Sequence, residues 1–253
     1  MQSWKRVVGV GLSAGYAVKA SLFGIPQGLR VLMYHSVSQG SPSDRADIYT
    51  ISASRFTDQI NYLTENQNNL ALAVRPLLGT DDIGVAITFD DGYRDNLEVV
   101  APLLIDRGFP FHVFVNPTFI MSNDRKYLDE SGLRELAGLP GVTIGAHGFS
   151  HKKLTECSPA ELRIELSSSK NWIEDKIGQE ITSMAYPHGA HNQEVRSAAQ
   201  SVGFKFAASS RFGIATAKSD RFALERTDIW ASDNKRAFAS KVRGYWDWMQ
   251  YRT

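Results

Sequence analysis

The sequence predicts an α/β protein whose parallel strands close, or nearly close, into a single-domain barrel. From Leu29 onward short β-rich runs alternate with helical stretches, and each predicted strand runs out into polar residues. No Pro/Ser-rich linker, low-complexity tract or internal repeat interrupts residues 29–230. Repeated strand–helix units put successive strands side by side and parallel, joined by right-handed crossovers. At 253 residues with 43% hydrophobic content, the chain can bury one substantial core.

The first strand is the apolar run of residues 29–34. Phe56, Ile60 and Leu63 recur at helical spacing in residues 54–65. Residues 85–89 read as a strand, 94–107 as a helix ended by Gly108, 111–115 as a strand, 131–137 as a short helix and 142–146 as a strand. Ser158-Pro159-Ala160-Glu161 opens the next helix with a Ser cap, Pro at the first helical position and Glu three residues after the cap, and Gly178 ends it. Strands at 183–186 and 204–208 flank a helix at 194–202, and 222–229 reads as a late strand.

Residues 1–28 form a separate basic, apolar segment. No Asp or Glu precedes Asp44, while Lys5, Arg6, Lys19 and Arg30 punctuate the N-terminal stretch. Three readings stay open: a helix capping the barrel, a segment in peripheral contact with a membrane, and a signal peptide, for which the cleavage pattern is poor. A cytoplasmic or inner-membrane-associated protein is therefore expected ahead of one exported to the cell envelope, and a monomer is expected. Residues 231–253 concentrate Tyr245, Trp246, Trp248 and Tyr251. Packing of this aromatic segment over the barrel is expected ahead of a membrane or partner contact. A net charge of +1, from 28 Lys+Arg against 27 Asp+Glu, argues against a nucleic-acid partner. Cys157 is the only cysteine, so no intramolecular disulfide forms.

Three clusters at strand ends carry the chemistry. Thr88-Phe89-Asp90-Asp91-Gly92 delivers two adjacent carboxylates and a Gly that lets the chain turn. One carboxylate can hold a cation while the other stays ionised and accepts a proton from water; a loop with a helix cap is the plainer alternative. His147-Gly148-Phe149-Ser150-His151 places two imidazoles four residues apart, which is ligand spacing. Two imidazoles and one carboxylate leave positions for water and substrate on a divalent ion. Ala185-Tyr186-Pro187-His188-Gly189 combines a rigid Pro loop with a Gly that admits substrate to the backbone. All three fall at carboxyl ends of strands, where α/β barrels assemble active sites.

In this order the clusters resemble the polysaccharide deacetylases of carbohydrate esterase family four, the NodB homology domain, over residues 29–230. Leu32-Met33-Tyr34-His35-Ser36-Val37 adds a likeness to the poly-N-acetylglucosamine deacetylase branch. The resemblance implies a distorted (β/α)7 barrel, Asp90 as general base, and Asp91, His147 and His151 as ligands of zinc or of Co, Ni, Mn or Fe. It also implies hydrolysis of N-acetyl groups on an amino-sugar polysaccharide or glycan, with a backbone N–H of the Pro187-His188 loop facing the oxyanion.

The chain departs from that pattern in three places. No His follows His191, so the usual C-terminal acid is missing, and His35 at the end of the first strand is the candidate replacement. Ala185 stands where many members carry an Arg that orients the base, and Arg226 is the candidate substitute. His188 stands where a Tyr is usual. Tyr186, Pro187, His188, Gly189, Arg226 and Trp230 are the candidate substrate contacts, Trp230 as a sugar-stacking platform. Two rival functions keep the same ligands: a two-His-one-carboxylate iron oxygenase, disfavoured by the alternating βα pattern and the extra Asp90, and a catalytically silent carbohydrate-binding relative.

Overall fold

Leu29–Tyr34 (β1) and Gly84–Asp91 (β4) are buried along their whole lengths and pair in parallel from Leu29↔Gly84 to Tyr34↔Phe89. Strands buried on both faces read as nearly continuous apolar runs, which is why a short apolar run, not an alternation, marks them in the sequence. The computed structural model describes residues 27–38, 48–79 and 82–251, together with Gly15 and Val18. The capping, membrane-contact and signal-peptide readings of residues 1–28 lie almost wholly outside the described residues. No described helix is long and apolar enough to cross a membrane.

Phe111–Val115 (β5), Val142–Ala146 (β6), Ser183–Ala185 (β7), Phe206–Ala208 (β8) and Thr227–Asp228 (β9) complete a seven-stranded sheet in the order β8-β7-β6-β5-β4-β1-β9. Every pairing in it is parallel. Ser36–Ser38 (β2) and Thr50–Ser52 (β3) make a small parallel pair outside this sheet. The expected late strand over 222–229 is shortened to β9, because its two ends serve opposite edges of the sheet. Leu224 bridges Ala208 of β8, while Thr227 and Asp228 pair with Leu32 and Met33 of β1. That single run closes the curled sheet into the distorted (β/α)7 barrel.

Helices cover the outside. Ala53–Glu65 (α1) follows a Ser52 cap, and Ala101–Asp106 (α2) follows a π-turn at Asn96–Val100 that interrupts the helix expected over 94–107. Pro117–Met121 (α3), Glu130–Ala137 (α4), Pro159–Ile177 (α5) and Gln193–Val202 (α6) come next. The α5 capping box forms as expected, and Gly178 ends the helix in the left-handed conformation. Lys235–Val242 (α7), a helix not among those expected, packs on α1 through an edge-on contact of Phe238 with Tyr62, ring centroids 5.9 Å apart. The aromatic end of the chain lies against the barrel: Trp246 meets Trp230 edge-on, and Asp247 takes a bidentate bond from the buried Arg30 of β1.

Candidate active site

The carboxyl ends of the strands surround a cleft of about 460 Å³. Asp90 and Asp91 end β4, where neighbouring side chains should point to opposite faces of the pleat. Asp91 escapes that rule by taking a left-handed φ of 75°, and both carboxylates line the cleft. His151 and His188 are left-handed as well, each with φ 59°. Of the four non-glycine residues in this region among those described, three are therefore at the cleft, the fourth being Asn123. Each costs roughly 1–3 kcal/mol, and such positions persist where the surroundings over-determine them.

Those surroundings are visible around the His147–His151 loop. Glu165, buried on α5, accepts the Phe149 N–H at 3.0 Å, the Ser150 N–H at 2.9 Å and the Ser150 hydroxyl. Asn116, which caps α3, donates to the carbonyls of His147 at 3.0 Å and Gly148 at 3.2 Å, and Ser169 donates to Gly148 at 2.9 Å. Gly148, at φ 64°, also lies where a Cβ would come within 3.0 Å of Pro187 Cγ.

His147 is oriented most tightly. Its Nδ1 lies 2.9 Å from the Ala185 carbonyl, which can only accept, so Nδ1 carries the proton and the Nε2 lone pair is bare. That Nε2 stands 3.5 Å from Asp91 Oδ1, and His151 Nε2 stands 3.1 Å from the same oxygen. Burial is the largest influence on His147 and holds its pKa below the ordinary value, against the pull of Asp90 and Asp91, so the ring stays in the neutral ligand form. Asp91 Oδ1 is buried and no described donor is aligned with it. A bare imidazole nitrogen facing an orphaned carboxylate oxygen is unfavourable unless a cation joins them. Donor atoms of Asp91, His147 and His151 lie within 4.8 Å of one another, so this set fits a divalent ion with three protein ligands.

Asp90 is set up differently. Arg226 grips it from the far side of the closure, Nη1 to Oδ1 at 2.7 Å and Nη2 to Oδ2 at 2.8 Å, while its Nε donates to the Ser209 carbonyl at 2.7 Å. Burial opposes ionisation of Asp90, but the charge and hydrogen bonds of Arg226, with His147, outweigh it and hold the carboxyl far below the usual carboxylate range. The bidentate bond uses two of about four acceptor directions, and Oδ2 is 4.0 Å from His147 Nε2, so the carboxylate also borders the ligand set.

His35 lines the same cleft, from the junction between β1 and β2. It precedes β2 as Tyr49 precedes β3, and the parallel register Ser36↔Thr50 brings the two rings to 4.4 Å. Its Nδ1 is buried without a hydrogen-bond partner among the described residues. Tyr186, His188, Gly189 and Arg226 line the cleft, whereas Pro187 packs behind it against Gly148. Trp230, the expected stacking platform, is not among the residues lining it but sits directly behind Asp228, which is. Its indole N–H is committed to Asp228 Oδ2 at 2.7 Å, and its ring covers the buried Lys241 ammonium, 3.6 Å from the centroid.

Sequence reasoning missed Asp228 and Tyr49, both of which line the cleft. Asp228 was findable as the acid at the end of a predicted strand. Burial raises its pKa, and its Oδ1 has no partner among the described residues. Tyr49 carries no local signal, because only the β2–β3 pairing brings it in.

A polysaccharide deacetylase family model matches residues 79–207. YxkH of Bacillus subtilis (strain 168), assigned by inference as a polysaccharide deacetylase, is 27% identical over 223 residues, 86% of this chain and 77% of that one. The fold is shared with Streptococcus pyogenes deacetylase PplD in complex with acetate, at a TM-score of 0.73 and 21% identity over 86% of this chain and 99% of that one. It is shared also with IcaB from Ammonifex degensii, at a TM-score of 0.69 and 19% identity over 87% of this chain and 99% of that one. With the family model spanning half of its residues and the carboxylate pair and His pair set at one barrel mouth, the chain belongs to the polysaccharide deacetylase family.

Proposed function

We propose that this protein hydrolyses N-acetyl groups on an amino-sugar polysaccharide, with Asp91, His147 and His151 holding zinc, Asp90 acting as base and His35 as acid. The observation that carries the reading is the pairing of a cation-seeking set, the bare His147 Nε2 and orphaned Asp91 Oδ1, with a second carboxylate kept ionised by Arg226. A divalent ion there would polarise the amide carbonyl and acidify water, so a carboxylate of low basicity suffices as base. Asp90 takes the proton of the attacking water, and His35 returns one to the sugar amine as the C–N bond breaks. Tyr186, His188 and Gly189 line the cleft, and in the proposed complex a backbone N–H of the Pro187-His188 loop would face the carbonyl oxygen while the Tyr186 and His188 side chains would face the sugar. Support for acetyl as the group removed comes from the acetate held by the PplD neighbour.

The test is acetate release from acetylated amino-sugar oligomers. Chelator treatment is expected to abolish it, and added zinc to restore it ahead of Co, Ni, Mn or Fe(II). A folded protein that takes up metal yet releases no acetate with any of the five would overturn the reading. His35→Ala is expected to lower kcat by about 10²–10⁴-fold, the worth of a positioned acid; an unchanged kcat would pass that role to another residue.

A further inference from the structure

The interior of the barrel beneath the Asp90–Arg226 pair holds an aromatic column that the reaction scheme leaves unexplained. Phe114 of β5 lies opposite Asp90 in the β4–β5 register and is fully buried. The Arg226 guanidinium carbon stands 5.7 Å from the Phe114 ring centroid. On β5 two residues earlier, His112 stacks on Phe114 with centroids 4.5 Å apart and planes at 24°. The His112 Nε2 then closes the column on Ser183 of β7 at 2.7 Å. Burial, with the Arg226 charge adding to it, pulls His112 down to a pKa of about 3, so the column carries no second cation below the guanidinium.

Space for the column comes from β6. A Cβ on Gly145 would lie 2.6 Å from Phe114 Cδ1 and 2.8 Å from His112 Nε2, closer than real Cβ contacts come. Gly145 has no positive φ to explain it, so the glycine answers to room, not to backbone conformation.

We propose that Phe114, backed by His112 and admitted by Gly145, is a positioning residue: it fixes the height of the Arg226 guanidinium and through it the aim of the Asp90 carboxylate. The argument is geometric. The Nη atoms of Arg226 are tied to Asp90, its Nε to Ser209 and Nη1 also, at 3.4 Å, to Thr88 Oγ1, but these bonds run along the guanidinium plane and resist displacement out of it only weakly. A ring face below removes that freedom and supplies a desolvated cation–π contact. The inference rests on Asp90 serving as the base.

The test is a double-mutant cycle of Phe114→Met with Arg226→Lys, in which Met nearly conserves volume and removes the ring face. In the native Arg226 background kcat is expected to fall about 3- to 30-fold, the worth of a buried cation–π contact, with KM and zinc affinity unchanged. In the Arg226→Lys background, where no planar face remains to be held, the same change is expected to cost less than about 2-fold. Gly145→Ala, which pushes the column from the other side, is expected to reproduce the kcat loss without a change in zinc affinity. Equal losses in the two backgrounds, or losses confined to KM or metal affinity, would overturn the proposal. The four proteins of the cycle are also compared in urea unfolding, where coupling between the two sites is expected and strict additivity counts against the stack. This readout needs no turnover, so a wild-type protein that releases no acetate would overturn the proposed function while the stack is still judged by the unfolding cycle.

Discussion

Asp90→Asn is expected to bind zinc as the wild type does and to lose turnover by about 10²–10⁴-fold, the contribution of a positioned base. The two halves of that expectation come from separate features of the cleft. Metal affinity is assigned to Asp91, His147 and His151, whose donor atoms cluster within 4.8 Å, and Asp90 is outside that set. Turnover needs a carboxylate with a free lone pair beside the ligand set, and an amide offers only a non-basic oxygen. Asn is nearly isosteric, so loss of activity through a reshaped cleft is minimised, although it leaves the Arg226 charge buried without its counter-ion. The check is zinc binding by calorimetry, alongside acetate release and a melting curve. Substantial turnover by Asp90→Asn would remove Asp90 from the base role, and loss of zinc would make it a ligand.

The proposed ligand trio, whose donor atoms the fold gathers, and the proposed base beside it were legible in the sequence because they sit in short local motifs at the ends of apolar strands. His147 and His151 are four residues apart, and Asp90 and Asp91 are adjacent, so no long-range geometry is needed to see them together. Arg226 was legible only as a candidate. Its sequence distance from Asp90 is 136 residues, and contact depends on the 222–229 run closing the barrel between β8 and β1. That closure also explains the misjudged strand: alternation over eight residues cannot say that the two ends pair with different neighbours. Glu165 had a visible signature, a charged residue on the inward stripe of α5 between Leu162 and Leu166, but what it holds is known only from the loop it meets. The surroundings of Trp230 were not legible at all: proximity to a strand end suggested a sugar platform, and only the fold shows that the buried Lys241 takes one face of its ring and Asp228 its N–H.

Arg226→Met is expected to destabilise the metal-free protein by about 3–5 kcal/mol at neutral pH, the cost of leaving one half of a buried ion pair uncompensated. Arg226 and Asp90 are 1% and 3% exposed, so solvent cannot take over the lost partner. The pH dependence of that deficit has a definite sign. In the wild type Asp90 has a folded pKa below its unfolded one, so its contribution is present above the unfolded value near 3.8 and is lost as pH falls through the folded value. Without Arg226, burial is the dominant remaining influence and drives the folded pKa upward, so the variant's penalty is largest at high pH and shrinks as Asp90 takes up a proton. Urea unfolding at pH 7 and pH 5 should therefore show a larger gap between variant and wild type at pH 7. Adding Asp90→Asn to Arg226→Met should restore much of the stability, because a neutral amide removes the uncompensated charge, while acetate release stays lost. A single variant as stable as wild type at pH 7, or a double variant less stable than the single one, would show that the guanidinium is not what makes burial of this carboxylate tolerable.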